Sequence, residues 1–355
     1  MNNKKSRQQH PCYSVNRLTV PDDKVNWNIP FKEYLNERPF YMHDDVKANL
    51  DKSIGRWAEP HGPKWNGELT SSIEKGTFNA FKSGTFNKRI TYINGYEQTL
   101  ESAGIKFDDN NLPINPIGRT GMYGPGLLGK NGPNQTADPI FTRWAPFTLL
   151  PLKIAIYDVK NLFIFNYQDN IMIHIISILW NIFKEIILLF PHLQMIAIQR
   201  NDTEEWAIPG GMVEAGQTVS ETLRNEINQE ACNNMDPNNF SLEIDKILHQ
   251  NNGIIIYRGY VDDPRNTDSR WIETTAVHYH CDCNLAKAIK LNSGDDAKNV
   301  MWLDMTDLVP KYRNLYANHK MMTNRAMIKF YSKYIINNII IYITITLFIF
   351  IYLYK

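Results

Sequence analysis

Residues 211–232 read GMVEAGQTVSETLRNEINQEAC, and this stretch restricts the chain more than any other. Val219, Leu223, Ile227 and Ala231 recur every four residues and form one apolar stripe, as in a helix lying against a core. Ser220, or Thr218 just before it, can cap the helix start, and Glu221 sits near the positive end of its dipole. Glu226 and Glu230 lie one turn apart on the same face. With no basic residue between them the two carboxylates repel, and a shared cation removes that cost. Hard oxygen donors at this spacing suit Mg²⁺ or Mn²⁺, which keep several waters and bind substrate phosphates. On spacing alone, the commoner reading of such a pair is a solvated acidic face.

The rest of the chain must supply a core and a frame for that helix. Its 355 residues are 43% hydrophobic and 21% charged, enough for a packed interior and about two domains. A formal net charge of +1 gives no electrostatic ground for a nucleic-acid partner. Cys12, Cys232, Cys281 and Cys283 do not make a disulfide framework. The CDC pair at 281–283 lacks the partners of a zinc site. The first ten residues, MNNKKSRQQH, are basic but have neither the apolar core of a secretory signal nor an amphipathic stripe.

Residues 20–116 are polar and broken by Pro, Gly and Asn, so they read as turns and short strands. Residues 118–144, GRTGMYGPGLLGKNGPNQTADPIFTRW, are rich in glycine, which permits positive φ and close backbone approach. They read equally as an interdomain linker and as a loop meeting phosphates or ribose. LQMIAIQRND from 193 is a core strand, WAIPGGMVEAGQ a strand end and loop, and TVSETLRNEINQEA the helix above. GIIIYRGYV, WIETTAVHYH and NVMWLDM are further strands, which together predict an α/β sandwich on a mixed sheet. Two segments stand apart. The run IMIHIISILWNIF within 154–193 is short for a membrane span. Residues 335–354 carry no charge and are long enough to cross a bilayer as a helix, which predicts membrane attachment through a tail anchor. Both segments are rich in Ile, Asn, Phe, Tyr and Lys, so translated intron is the alternative reading.

The 211–232 stretch resembles the Nudix box, G-x5-E-x7-R-E-U-x-E-E, with U aliphatic. Gly211, Glu226, Ile227 and Glu230 match it. Gln217, Asn225 and Gln229 stand where the box has a glutamate, an arginine and a glutamate. The strings GRTGMYGPGLLGKNGPNQTADPIFTRW, EEWAIPGGMVEAG, GYVDDPRNTDSRWIETTAVHYH and GDDAKNVMWLD are similar to the animal mitochondrial-type ADP-ribose pyrophosphatases. They are equally similar to the ADP-ribose-sensing C-terminal domain of melastatin-type TRP channels. The likeness runs in order from near residue 10 to about 320 and skips roughly 146–192.

The resemblance implies a Nudix α/β/α sandwich with a mixed sheet, preceded by a smaller N-terminal α+β domain. It divides the chain into a basic leader (1–10), a ligand-closing domain (11–145), a divergent insertion (146–192), the Nudix domain (193–326) and a hydrophobic tail (327–355). It implies hydrolysis of ADP-ribose to AMP and ribose 5-phosphate, with Mg²⁺ or Mn²⁺ on Glu226 and Glu230 and Gln229 beside them. Gly210 and Gly211 would let the backbone turn beside the phosphates. Arg119, Arg265, Asp295 and Asp296 are candidate substrate contacts, with a structural ion pair or a turn as the alternative for each. For the general base Asp262, Asp263, Asp268 and Glu273 join Asp295 and Asp296 as candidates. Gln229 removes a formal charge from the metal site, which predicts weaker metal affinity and slower turnover. A binding module with little hydrolysis is the alternative, and the compartment reads as mitochondrial or cytoplasmic.

Overall fold

The computed structural model describes residues 3–50, 58, 90–100, 102–109, 111–145, 192–213, 222, 253–281, 291 and 297–333. Its strands are β1 (Phe40–Met42), β2 (Ile90–Ile93), β3 (Tyr96–Thr99), β4 (Tyr123–Gly126), β5 (Gly132–Trp144), β6 (Leu193–Arg200), β7 (Trp206–Ala207), β8 (Gly211–Met212), β9 (Ile254–Val261), β10 (Arg270–His280) and β11 (Ala297–Asp304). Five of them form the main sheet in the order β11-β6-β5-β10-β9, with β7 added to β6 and β8 to β5. The sheet is mixed, since β5 and β10 run parallel while the other neighbours are antiparallel.

β5 and β10 are buried along almost their whole length, as central strands covered on both faces must be. On one face Ile140, Met195, Ala197, Ala276 and Leu303 meet Met322 and Ala326, with Phe330 packed alongside. Residues 322, 326 and 330 form the apolar stripe of the helix over 319–333. Elsewhere Trp271 and Tyr260 pack with Leu100 and Ile105 of the N-terminal half. The glycine-rich segment behaves as its composition predicts: Gly118, Gly121, Gly124, Gly126 and Gly132 all take positive φ.

One assignment differs from the sequence reading. Residues 132–144 fall within the expected N-terminal domain, yet β5 is the middle strand of the sheet that carries β6 and β10. Pro139 is tolerated there because of where it falls. On one side of β5 the pairing with β8 ends at Ala137 and that with β6 begins at Thr142, so a missing N–H breaks no ladder on that side. Among the described residues no helix is long and apolar enough to cross a membrane. The segment at 335–354 and most of 154–193 lie outside them.

Two acidic residues fasten the N-terminal half to the sheet. Asp268 accepts from the Tyr34 hydroxyl (2.8 Å), Arg38 Nη1 (2.6 Å), and the backbone N–H and hydroxyl of Thr120 (2.9 Å each). Glu273, on β10, accepts from the Thr91 hydroxyl, Tyr92 N–H (2.7 Å) and Trp271 Nε1–H (2.8 Å). Burial pushes the Glu273 carboxyl up from its ordinary 4.5 to about 7, against those donors. An acid with a raised folded-state pKa stabilises the fold below its unfolded value and loses that contribution as pH rises through the folded one. We therefore expect stability to fall by roughly 3 kcal/mol between about pH 4.5 and 7 from this group. Urea unfolding across that range checks it. Glu273→Gln should flatten the profile, and an unchanged slope would refute the assignment.

Candidate functional site

The site is built where the middle of β5 and the end of β6 meet the loops 208–211, 262–266 and 316–319. Arg200 closes β6 and binds Asp202 with Nε (2.8 Å) and Nη2 (2.5 Å). Arg265 binds Asp263 in the same forked way, at 2.9 Å on both arms. Nη1 of each guanidinium has no hydrogen-bond partner among the described residues. Both approach the ring of Tyr316, with Cζ at 4.3 Å for Arg200 and 6.0 Å for Arg265. Two like charges share this place because an aspartate is fixed beside each. Burial raises the Asp263 carboxyl, but Arg265 overrides it and holds it at about 2. Asp202 is likewise pulled far below the usual carboxylate range, against burial, by His10, Arg200 and Arg265.

The 316–319 loop adds polar groups. His319 Nδ1 accepts the Ile208 N–H (3.0 Å), so a neutral ring carries its proton on Nε2. Burial, and then Arg200, lowers the His319 pKa to about 3, which keeps it neutral. The Tyr316 hydroxyl and both polar atoms of the Asn318 side chain are buried with no hydrogen-bond partner among the described residues. Buried polar groups are rarely left so, and unpaired ones collect at ligand sites.

Gly210 and Gly211 enter from the other side. Gly211 pairs with Ala137 in the β8–β5 ladder. A Cβ at Gly210 would collide with Asp138 Oδ1 and lie 2.9 Å from the Ala137 carbonyl. Asp138 is fixed beneath this loop by the Thr274 hydroxyl (2.6 Å). Burial raises its carboxyl to about 6, and Arg265, Asp263 and Arg200 all lie near enough to act on it. The 208–211 loop and the guanidinium cluster thus share one neighbourhood.

Of the residues expected from sequence, the structure brings Gly210, Gly211 and Arg265 together. Glu226, Gln229, Glu230, Asp295 and Asp296 lie outside the described residues, as do Gln217 and Asn225. Thr222, within the same helical stretch, is buried. Arg119 differs from the phosphate contact expected of it. Its amino groups donate to the carbonyls of Lys24, Asn26, Trp27 and Ile29, and its guanidinium stacks on Trp27, so it fixes the 24–29 loop. Among the base candidates Asp263 and Asp268 are tied to arginines, Glu273 to β2, and Asp262 to the backbone N–H groups of Lys5 and Ser6. Sequence reasoning missed Asp138, Arg200, Asp202, Tyr316, Asn318 and His319. One signal was available: QRND ends an apolar strand with a charged pair, where α/β sheets place ligand contacts.

Residues 20–132 match the family profile described as NUDT9-like, N-terminal domain, and residues 185–325 match the NUDIX domain profile. The chain is 33% identical over 322 residues to the rat protein named ADP-ribose pyrophosphatase, mitochondrial (Rattus norvegicus), spanning 89% of this chain and 75% of that one. It is 36% identical over 307 residues to putative nudix hydrolase 6 of Caenorhabditis elegans, spanning 86% and 88%. It is 32% identical over 319 residues to a transient receptor potential cation channel subfamily M member-like 2 from Nematostella vectensis, but spans only 16% of that channel. The fold and site define a mixed-sheet α/β protein whose glycine loop lies beside a cluster of paired arginines and aspartates. The chain belongs to the Nudix hydrolase family, in the branch that carries a NUDT9-like N-terminal domain.

Proposed function

We propose that this chain hydrolyses the diphosphate of ADP-ribose to AMP and ribose 5-phosphate, slowly for its family. The observation that carries this is the Arg200–Arg265 pair around Tyr316, near the glycine loop that opens the Nudix-box stretch of the sequence. Guanidinium forks match phosphate oxygens, and the Tyr316 hydroxyl and Asn318 amide offer donors and acceptors to ribose or base. The name of the rat relative supports the same substrate.

Among the described residues no cluster of His, Cys, Asp and Glu could hold a metal. The donors that fit Mg²⁺ or Mn²⁺ are Glu226 and Glu230, two hard carboxylates one turn apart. Bound there, the cation would supply charge neutralisation and acidify water. The protein's own part is positioning. Arg200 and Arg265 hold the diphosphate beside the 208–211 loop, and water attacks one phosphorus while the bridging oxygen leaves with the other phosphate.

Release of AMP from ADP-ribose with Mg²⁺, beside Glu230→Gln, tests the reading. We expect release by the parent and a loss of at least about a hundredfold in the variant. No release from the parent would overturn hydrolysis. The amides at Gln217, Asn225 and Gln229 favour one second reading, a binding module with little turnover. Gln229→Glu with Asn225→Arg separates the two, since it raises turnover in a weakened enzyme and leaves a pure binder inert.

A further inference from the structure

Residues 3–17 read as a basic leader and the start of the next segment, yet they wrap the loop that carries Arg265. Asp262 accepts from Lys5 N–H (3.0 Å), Ser6 N–H (2.8 Å) and the Ser6 hydroxyl (2.7 Å). Asn3 receives the Tyr260 hydroxyl (2.7 Å) and donates to the Gly118 carbonyl (3.0 Å). Arg17 donates to the carbonyls of Pro264 (2.6 Å) and Asn266 (2.8 Å). Between these anchors the Tyr13 hydroxyl donates to the Arg265 carbonyl at 2.7 Å, and the Arg17 guanidinium lies over the Tyr13 ring at 5.3 Å. The segment also reaches the second guanidinium. His10 is buried, its Nδ1 accepts the Cys12 N–H (3.2 Å), and its Nε2 faces Asp202 Oδ2 at 3.4 Å, a close contact outside hydrogen-bond geometry. Asp202 in turn holds both arms of Arg200.

Two links reach the site arginines directly, Tyr13 at the Arg265 carbonyl and His10 at Asp202, and the others anchor the chain on either side of Arg265; none of these strap contacts takes up a guanidinium nitrogen of Arg200 or Arg265. The segment also packs Tyr13 against Tyr41 and Met122, but most of its long-range polar contacts fall on the 260–266 stretch and on Asp202. We infer that residues 3–17 are a positioning strap for the two site guanidiniums, in which Tyr13 sets Arg265 and His10 sets Arg200 through Asp202. The inference deepens the ADP-ribose reading and rests on it. A strap of this kind acts on ligand binding rather than on the chemical step, because the groups it aims meet the diphosphate before the bond breaks.

The test uses the full chain with Tyr13→Phe, His10→Leu and His10→Gln, reading ADP-ribose affinity by calorimetry, KM and kcat for AMP release, and the thermal midpoint. Tyr13→Phe should raise Kd and KM roughly tenfold and leave kcat within about twofold, as loss of one buried hydrogen bond predicts. His10→Leu should do the same, and His10→Gln, which keeps an N–H donor in the place of Nε2, should stay within about threefold of the parent. Affinity unchanged in both Tyr13→Phe and His10→Leu would overturn the strap, as would a fall in kcat with KM unmoved. If His10→Leu does not fold, Tyr13→Phe decides alone, since it removes a single oxygen. If the parent itself does not bind ADP-ribose, the functional reading fails and hydrogen exchange decides the strap. Amides of 262–266 that exchange at least about tenfold faster in Tyr13→Phe uphold it, and unchanged exchange overturns it.

Discussion

Gly210→Ala should lower kcat/KM for ADP-ribose by about a hundredfold. The new methyl would occupy the place of Asp138 Oδ1 and press on the Ala137 carbonyl, 2.9 Å from the Cβ position. Neither neighbour can yield cheaply. Ala137 is held in the ladder with Gly211, and Asp138 is buried and bonded to Thr274. The loop must therefore move away from β5, and in sequence it leads toward Glu226 and Glu230, the residues proposed to hold the metal. A displacement near 1 Å at a reacting centre costs about a hundredfold. Overpacking at a buried contact costs a further 2 kcal/mol or so in stability. Gly210→Ala with Asp138→Ser removes the carboxylate from the clash and should recover part of that stability. It should recover little activity, because the Ala137 carbonyl still forces the loop outward. Steady-state kinetics and chemical unfolding of the single and double variants check this, and a single variant with parental kcat/KM would sink it.

This loop shows where the sequence is legible. PGG before an acidic helix gives the turn, and the apolar runs give β6, β9, β10 and β11 nearly to their observed ends. A local pattern suffices there because a half-buried strand needs only its own residues to declare it. β5 is hidden for the opposite reason. Its Gly132, Pro133 and Pro139 read as loop, and only pairing with β10, more than a hundred residues away, makes them a strand. The site divides the same way. Arg265 stands out as a lone arginine in DDPRNTD, whereas Arg119 looks similar and serves a loop of carbonyls instead. Which carbonyls or carboxylates surround an arginine is settled by tertiary contacts, and composition cannot distinguish them. Residues 3–10 make the point most sharply, since Asn3 and Ser6 are polar in sequence and fully buried by partners some 250 residues on.

The second large effect concerns Arg265 itself, and its size depends on pH. Asp263 is only 1% exposed, and its pair with Arg265 is what holds its carboxyl at about 2. Arg265→Leu leaves a buried carboxylate whose remaining hydrogen bond is from the backbone N–H of residue 265, with Arg200 acting on it from farther off. Breaking a buried pair from one side costs about 3–5 kcal/mol. The parent draws stability from Asp263 above its unfolded pKa near 3.8 and loses it as pH falls toward about 2. In the variant burial is opposed only by the residue 265 N–H and the more distant Arg200, and it raises the same carboxyl, so acid protonates it and relieves the strain. The stability gap between parent and Arg265→Leu should accordingly be widest at neutral pH and close as pH falls through 4 toward 2. Arg265→Gln with Asp263→Asn exchanges the pair for two amides and should regain most of the stability at pH 7. It should not regain ADP-ribose affinity, because no fork is left for the diphosphate. Arg265→Lys keeps the charge without the fork, and should fall between the two in stability with affinity at least about tenfold weaker. A gap that ignores pH would mean that Asp263 is not the group left uncompensated. A double variant that binds like the parent would remove Arg265 from the site.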